Sequence, residues 1–174
     1  MILTKEEILK AIKKGCIRIE PFNENSLGPA SYDLSLDKII HIFKNKNYPL
    51  DIKEISNEPE KIYREITEPF DLSKSSYYLK PGELVLGITQ EKITLAPNIS
   101  GFLIGRSRFG RIGLMVYVSA SFIQPGVSNK QVFEIYNASR HIIILSPYIK
   151  IAQIVFLKCS GSAVYQGVWK DQNF

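Results

Sequence analysis

Three arginines and a serine lie within six residues near the middle of the chain, in a stretch rich in glycine. The stretch reads Gly105-Arg106-Ser107-Arg108-Phe109-Gly110-Arg111-Ile112-Gly113. Guanidinium groups bind phosphate oxygens through paired hydrogen bonds, and a glycine-framed turn exposes backbone N–H groups that form a concave anion site. The spacing therefore favours a polyphosphate site. A solvated basic turn between two strands explains the same composition equally well.

A single carboxylate interrupts an otherwise apolar run further along the chain. Glu134 lies in the middle of Val132-Phe133-Glu134-Ile135-Tyr136. If the run is a strand, alternation places Glu134 on the same face as Val132 and Tyr136. A carboxylate there is costly to bury unless it is paired or its pKa is raised, which is the environment of a general acid or base. An outward-facing glutamate on a half-exposed strand is the alternative.

Another candidate side chain belongs to an N-terminal strand. Asp33 alternates with Tyr32 and Leu34 after the turn-forming residues 23–30. It is either a site residue or a structural group that caps a turn or pairs with a cation, and we favour the structural role.

The elements that must position these residues are mostly short strands. A first helix is predicted from an N-cap at Thr4, with Glu7 at capping-box spacing and a stop at Gly15. Strands follow near Ile17 and over 32–36. Further apolar runs, punctuated by Gly, Pro, Asn and Ser, cover 77–79, 84–88, 99–104, 114–118, 132–136, 141–145 and 151–157.

These runs predict a mainly β sandwich or barrel in one domain over residues 1–174. Polar residues 44–76 are interpreted as a surface insertion with a helical turn near 58–65, and residues 160–174 as a flexible C-terminal tail. No long helical pattern alternates with the strands, which disfavours a parallel α/β fold.

Composition narrows the functional classes. The chain has 174 residues, 45% hydrophobic and 22% charged, with a net charge of +5. Two cysteines and two histidines, without ligand spacing between them, favour neither zinc nor a disulfide framework. No apolar run reaches the roughly 20 residues of a membrane span, and no signal peptide is evident, so we expect a cytoplasmic protein. Aromatic and basic residues do not interleave, which argues against nucleic-acid binding.

Six ordered stretches together resemble the dCTP deaminase/dUTPase superfamily, and most closely the dCTP deaminases. The arginine-rich stretch resembles their R-S-S-L-A/G-R motif. The other matching stretches are the opening Met1-Ile2-Leu3-Thr4, Pro29-Ala30-Ser31-Tyr32-Asp33-Leu34, Val118-Ser119-Ala120 with Ile123-Gln124-Pro125-Gly126, Phe133-Glu134-Ile135-Tyr136-Asn137 and Ile151-Ala152-Gln153-Ile154-Val155-Phe156.

The resemblance implies a distorted jelly roll of the dUTPase-like (β-clip) type, with a short N-terminal helix, assembled as a homotrimer with active sites between subunits. It implies that Glu134 shuttles protons, that Ser107 and Arg111 hold the attacking water, and that the carbonyl of Ala120 is a further acceptor. The implied nucleotide-binding residues are Arg106, Ser107, Arg108, Phe109, Gly110, Arg111, Gln124, Val132, Phe133, Gln153, Tyr165 and Gln166. Magnesium would arrive with the triphosphate, without a protein metal site and without zinc.

The expected reaction is zinc-independent deamination of dCTP to dUTP and ammonia, with dUTP or dTTP as further possible ligands. Gln124 replaces the aspartate on which the dUTPases rely, and an amide cannot take a proton from water. Val164 replaces a lysine of the family's tail, before Tyr165 and Gln166. A dUTP diphosphatase, a bifunctional deaminase-diphosphatase and a non-catalytic nucleotide-binding homologue remain as alternatives.

Overall fold

The computed structural model describes residues 1–45 and 49–171, and antiparallel strands account for most of its regular structure. Its helices are α1 (Lys5–Lys13), α2 (Ile52–Asn57), α3 (Pro59–Ile66) and α4 (Ser107–Gly110), with 3-10 turns at Glu24–Ser26 and Val168–Asp171. Its strands are β1 (Ile17–Glu20), β2 (Tyr32–Phe43), β3 (Thr67–Asp71), β4 (Tyr77–Leu79), β5 (Leu84–Leu95), β6 (Ile99–Gly105), β7 (Leu114–Met115), β8 (Phe122–Ile123), β9 (Ser128–Asn137), β10 (Ile143–Leu145) and β11 (Lys150–Lys158).

One large curled sheet carries the fold. Its strands follow the order β7-β9-β5-β2-β11-β6-β8, while β1 pairs with β5 and β3 pairs with β2. The long strands β2 and β5 both change register, between Leu36 and Ile40 and between Ile88 and Lys92. Such bulges bend strands and increase their twist, which lets the sheet curl around its own apolar face. The predicted mainly β fold with a short N-terminal helix is confirmed.

Helix α1 forms where the sequence predicts it, but its N-terminus is not held by a capping box. Thr4 occupies the N-cap position without a side-chain hydrogen bond to the helix. Glu7 instead pairs with Lys10, 2.7 Å away. Ile8 is buried, and the chain leaves the helix through Gly15, whose φ of 71° lies in the left-handed region.

Strand β9, which carries Glu134, alternates as predicted. Phe133 and Ile135 are fully buried, whereas Val132, Glu134 and Tyr136 are half-buried on the opposite face. Glu134 lies opposite Leu86 of β5 in the ladder. The strand is longer than its apolar run, because it begins at Ser128.

The polar segment 44–76 contains regular structure. Helix α3 covers the expected helical turn, α2 precedes it, and neither helix has a fully buried residue. Strand β3 of this segment pairs with the second half of β2, from Ile39 to Phe43. Residues 67–71 are therefore part of the main sheet, and α2 and α3 lie at its surface. Within the described ranges, no helix is long and apolar enough to cross a membrane.

Candidate active site

The carboxylate of Glu134 is bound by the chain segment that follows β7. One oxygen, Oε2, accepts hydrogen bonds from the backbone N–H groups of Val118 (2.8 Å), Ser119 (2.5 Å) and Ala120 (3.4 Å). The other oxygen, Oε1, accepts the hydroxyl of Ser119 at 2.8 Å. Consecutive N–H groups converging on one anion form a nest that stabilises negative charge.

These contacts set the protonation state of Glu134. Its partial burial would raise the pKa, but the hydrogen bonds from Ser119, Val118 and Ala120 outweigh burial and hold the pKa of Glu134 below its ordinary value. The side chain is therefore a carboxylate at neutral pH. The sequence leaves open whether this carboxylate is paired or has a raised pKa, and the structure shows that it is paired through hydrogen bonds, which lower its pKa.

An aromatic contact holds the nest segment against β9. The ring of Tyr117 packs edge-on against Phe133, with 5.6 Å between the ring centroids. Strand β7 pairs with the end of β9, so the chain from Tyr117 to Ala120 runs back along the face that carries Glu134. The hydroxyl of Tyr117 is buried and has no hydrogen-bond partner among the described residues. Burial first, and the nearby charge of Glu134 second, raise the pKa of Tyr117.

Glu134 opens onto a cavity of about 440 Å³, a volume typical of small-molecule sites. Five of the sequence-predicted site residues line it, and the structure therefore brings them together. They are Glu134, Ala120, Gln124, Val132 and Tyr165.

The cavity also has walls that the sequence analysis missed. Tyr63 comes from α3, Trp169 from the C-terminal segment, and Asn129 and Gln131 from the start of β9. Asn129 and Gln131 are buried polar residues at alternate positions before the apolar run. This alternation in the sequence could have predicted that the strand begins before the apolar run and that the two amide side chains are buried.

Asn129 fixes the C-terminal segment on the sheet. Its side-chain N–H₂ group donates to the carbonyls of Trp169 (2.9 Å) and Lys170 (3.1 Å), and its oxygen accepts from the side chain of Gln131. The N–H of Tyr165 also bonds the carbonyl of Pro125 at 3.0 Å. Residues 165–170 of the expected tail are therefore packed against their own domain.

The arginine-rich turn lies apart from this cavity. Residues 107–110 form the single turn α4 after β6, and none of residues 106–111 lines the cavity of the same chain. Ser107, Arg108 and Arg111 are exposed, while the ring of Phe109 packs against the core. The turn closes through Gly113, whose φ is 82° and whose absent Cβ would meet Ser139 at 2.8 Å.

Arg106 has structural partners. Its guanidinium lies 3.1 Å from the carboxylate of Asp33 and donates to the carbonyl of Lys150 at 3.1 Å. Both paired side chains are only 20% exposed. The pair ties β2, β6 and β11 together, in agreement with the structural role favoured for Asp33.

Three further residues predicted to contact the nucleotide do not line the cavity. Phe133 is fully buried in the core, so any nucleotide contact at this position must come from its backbone. The side-chain oxygen of Gln153 accepts the hydroxyl of Ser31 at 2.7 Å. Gln166 is exposed and does not line the cavity. Within residues 1–45 and 49–171, no three His, Cys, Asp or Glu side chains are grouped as a metal site.

The curled antiparallel sheet has the dUTPase-like fold, and the Glu134 cavity lies on one of its faces. A crystal structure of 2'-deoxycytidine 5'-triphosphate deaminase from Agrobacterium tumefaciens superposes with a TM-score of 0.68 at 20% identity. The match covers 89% of this chain and 48% of that one, so this chain spans about half the length of that protein.

The chain belongs to the dCTP deaminase-like family, whose sequence model matches residues 2–159. It is 38% identical over 167 residues to a dCTP deaminase of Marinomonas sp. (strain MWYL1), covering 94% of this chain and 86% of the relative. It is 34% identical over 181 residues to a "dCTP deaminase, dUMP-forming" of Parafrankia sp. (strain EAN1pec), covering 99% and 87%.

Proposed function

We propose that this chain is a zinc-independent dCTP deaminase that converts dCTP and water to dUTP and ammonia in the cytoplasm. The observation that carries the proposal is the ionised carboxylate of Glu134 at a cavity large enough for a nucleoside. Membership of the dCTP deaminase-like family supports the substrate.

Glu134 is suited to move protons without a metal. As a carboxylate, it takes a proton from water as the oxygen attacks C4 of cytosine and passes that proton to N3, and it then moves the remaining proton of the new C4 hydroxyl to the departing amino group. The C4–N bond breaks, ammonia leaves, and a carbonyl remains. Ala120 lines the same cavity, which supports the proposal that its carbonyl accepts a hydrogen bond from the amino group or the water.

The positive charge that this chemistry needs is supplied by a second copy of the chain. Ser107, Arg108 and Arg111 are exposed on α4 and beside it, outside their own chain's cavity. Apolar side chains around them are also exposed, at 54% for Ile112, 41% for Met115 and 53% for Val118. Such a surface suits an interface between subunits. In the proposed homotrimer, the arginine turn of one subunit completes the Glu134 cavity of the next.

Magnesium would enter with the triphosphate. Among the described residues that line the cavity, Glu134 supplies the one carboxylate, and both of its oxygens already accept hydrogen bonds. Mg²⁺ commonly keeps its waters and binds substrate phosphates in such sites. The lining residues therefore fit an ion that is held mainly by the nucleotide.

The alternative product is dUMP. Several relatives near 34% identity are named as dUMP-forming, which favours a second, diphosphate-releasing step. Gln124 in the cavity wall opposes that step, because its amide cannot accept a proton from water. We therefore place dUTP formation first and the bifunctional or purely dUTP-hydrolysing reaction second. A nucleotide-binding homologue without turnover is the remaining alternative.

One assay separates these functions. The protein is incubated with dCTP or with dUTP in the presence of magnesium, and the nucleotides are separated by chromatography while ammonia is measured. Ammonia and dUTP from dCTP support the proposal. Formation of dUMP from dCTP supports the bifunctional enzyme, and formation of dUMP from dUTP alone supports the dUTP diphosphatase. Binding of dCTP without any product would contradict the proposed activity.

A further inference from the structure

Two surface segments that are far apart in sequence contribute aromatic rings to the Glu134 cavity. Tyr63 belongs to α3, in the polar segment between β2 and β3, while Trp169 lies in the C-terminal 3-10 turn. Tyr165 lines the cavity as well. Both segments belong to the same chain as Glu134, so this wall forms without a second subunit.

The two segments also approach each other directly. A second cavity is lined by residues of α3 together with Val168, the neighbour of Trp169. Val168 and Trp169 therefore lie beside α3, at one side of the Glu134 cavity.

A buried amide holds this arrangement in place. Asn129 is 5% exposed, and both of its N–H bonds are used by the carbonyls of Trp169 and Lys170. Its oxygen is occupied by Gln131, whose own backbone N–H bonds the hydroxyl of Thr89 at 2.8 Å. Hydrogen bonds thus connect Thr89, at the register shift of β5, through Gln131 and Asn129 to the backbone of the C-terminal segment.

We propose that Tyr63 and Trp169 form an aromatic wall that binds the planar base of the nucleotide, with Asn129 as the residue that positions the wall. Aromatic faces stack on heteroaromatic rings with little regard to the edge pattern of the base. The wall therefore contributes affinity for a nucleobase, while the groups beside Glu134 act on its exocyclic nitrogen. This inference rests on the proposed function for the identity of the ligand.

Trp169 provides the readout, because it is the chain's one tryptophan. Its emission is titrated with dCTP in a Glu134→Gln background, where the proposed mechanism has no turnover. Inorganic triphosphate and deoxycytidine are titrated in parallel. We expect dCTP and deoxycytidine to change the emission and triphosphate alone to leave it unchanged. An equal response to triphosphate would overturn the base-stacking role, because closure over phosphates would then explain the change.

Paired variants test the wall itself. Tyr63→Ala should raise the Kd for dCTP about tenfold, and Tyr63→Phe should retain binding, since stacking needs the ring. The control is Tyr78→Ala, because Tyr78 is 59% exposed on β4 and does not line the cavity. Calorimetry with Trp169→Ala and Trp169→Phe extends the comparison. An unchanged Kd in both alanine variants would refute the wall.

Asn129→Asp tests the positioning role. A carboxylate in place of the amide faces two carbonyl oxygens, so the C-terminal segment should detach, and trypsin should cleave after Lys170 faster than in the unsubstituted protein. Equal cleavage in a protein that still unfolds cooperatively would refute the role. If the variant does not fold, the Tyr63 and Trp169 titrations still decide the proposal.

Failure of this inference and failure of the proposed function have different signatures. The wall alone would be refuted if the unsubstituted protein turns over dCTP while the Trp169 emission does not change and the alanine variants keep their Kd for dCTP. A base-dependent change in emission without turnover would refute the deaminase and leave the wall standing.

Discussion

Glu134 and Ser119 are joined by two hydrogen bonds, one from the backbone N–H of Ser119 and one from its hydroxyl, each to a different carboxylate oxygen. A side chain on one strand is thereby locked to a segment 15 residues earlier in the chain. The same segment contains Ala120, which lines the cavity. The protonation state of Glu134 and the position of the nest are therefore linked.

Ser119→Ala should shift the acid limb of activity. The substitution removes one of the bonds that lower the pKa of Glu134, so that pKa should rise towards its ordinary value. Since the reaction needs the carboxylate, the acid midpoint of the rate profile should move to higher pH. The measurement is the pH dependence of kcat/KM. Ser121→Ala, whose hydroxyl does not bond Glu134, should leave the profile unchanged.

The same variant has a consequence for stability. Because the folded pKa of Glu134 lies below its unfolded value, the group stabilises the fold above about pH 4.5, and this contribution disappears as pH falls through the folded pKa. Ser119→Ala should therefore be less stable than the unsubstituted protein at neutral pH, and the two should converge in acid. A constant difference at all pH values would contradict the assigned hydrogen bonds.

Removing the hydroxyl of Tyr117 should stabilise the protein. This hydroxyl is buried without a hydrogen-bond partner among the described residues, so Tyr117→Phe should add about 1 kcal/mol to the free energy of unfolding. The melting temperature should rise by about 2–4 °C. Tyr32→Phe is the matched control. The hydroxyl of Tyr32 accepts the N–H of Asn23 at 2.9 Å, so its loss should destabilise the fold by a similar amount. Destabilisation by both substitutions would show that the Tyr117 hydroxyl has a partner.

Gln124→Asp should introduce diphosphate release from dUTP. A carboxylate at this cavity position can accept a proton from the attacking water, which the amide cannot do. The unsubstituted protein should form little dUMP from dUTP, and the variant should form it at least about tenfold faster. Gln124→Glu carries the same carboxylate on a longer side chain and tests whether the shorter side chain of aspartate is required. Rapid dUMP formation by the unsubstituted protein would favour the bifunctional alternative.

Mixing two inactive variants should restore activity if the site is shared. Glu134→Gln and Arg111→Ala damage groups that come from different chains in the proposed trimer. When equal amounts are unfolded and refolded together, about one quarter of the sites should contain both intact groups. Refolding each variant alone is the control. No recovery in mixed trimers would show that Arg111 and Glu134 do not meet across an interface.

The sequence predicts local structure well where composition and alternation agree. The strand containing Glu134 and its face are correct, because buried Phe133 and Ile135 alternate with half-buried neighbours. The helix before Gly15 is correct for a similar reason. Strand β3 was missed, because Glu68 and Pro69 resemble a loop and its pairing with β2 is long-range. Tertiary contacts override local propensity at such edges.

Only part of the cavity is predictable from the sequence. The sequence predicts five of its lining residues, because each lies within or beside a family-like stretch: Glu134, Ala120, Gln124, Val132 and Tyr165. Tyr63 and Trp169 also line the cavity, but they lie in segments without such stretches. Their proximity to Glu134 depends on the path of the chain around the sheet, which no local sequence pattern predicts.

Glu134→Gln is the most direct test of the account. The substitution keeps the size of the side chain and removes its ability to take a proton, and Glu68→Gln on the exposed edge of β3 is the matched control. Ammonia release from dCTP with magnesium is measured for both variants and for the unsubstituted protein. We predict that Glu134→Gln loses at least about a thousandfold in rate while Glu68→Gln retains full activity. Unchanged ammonia release by Glu134→Gln would contradict the account.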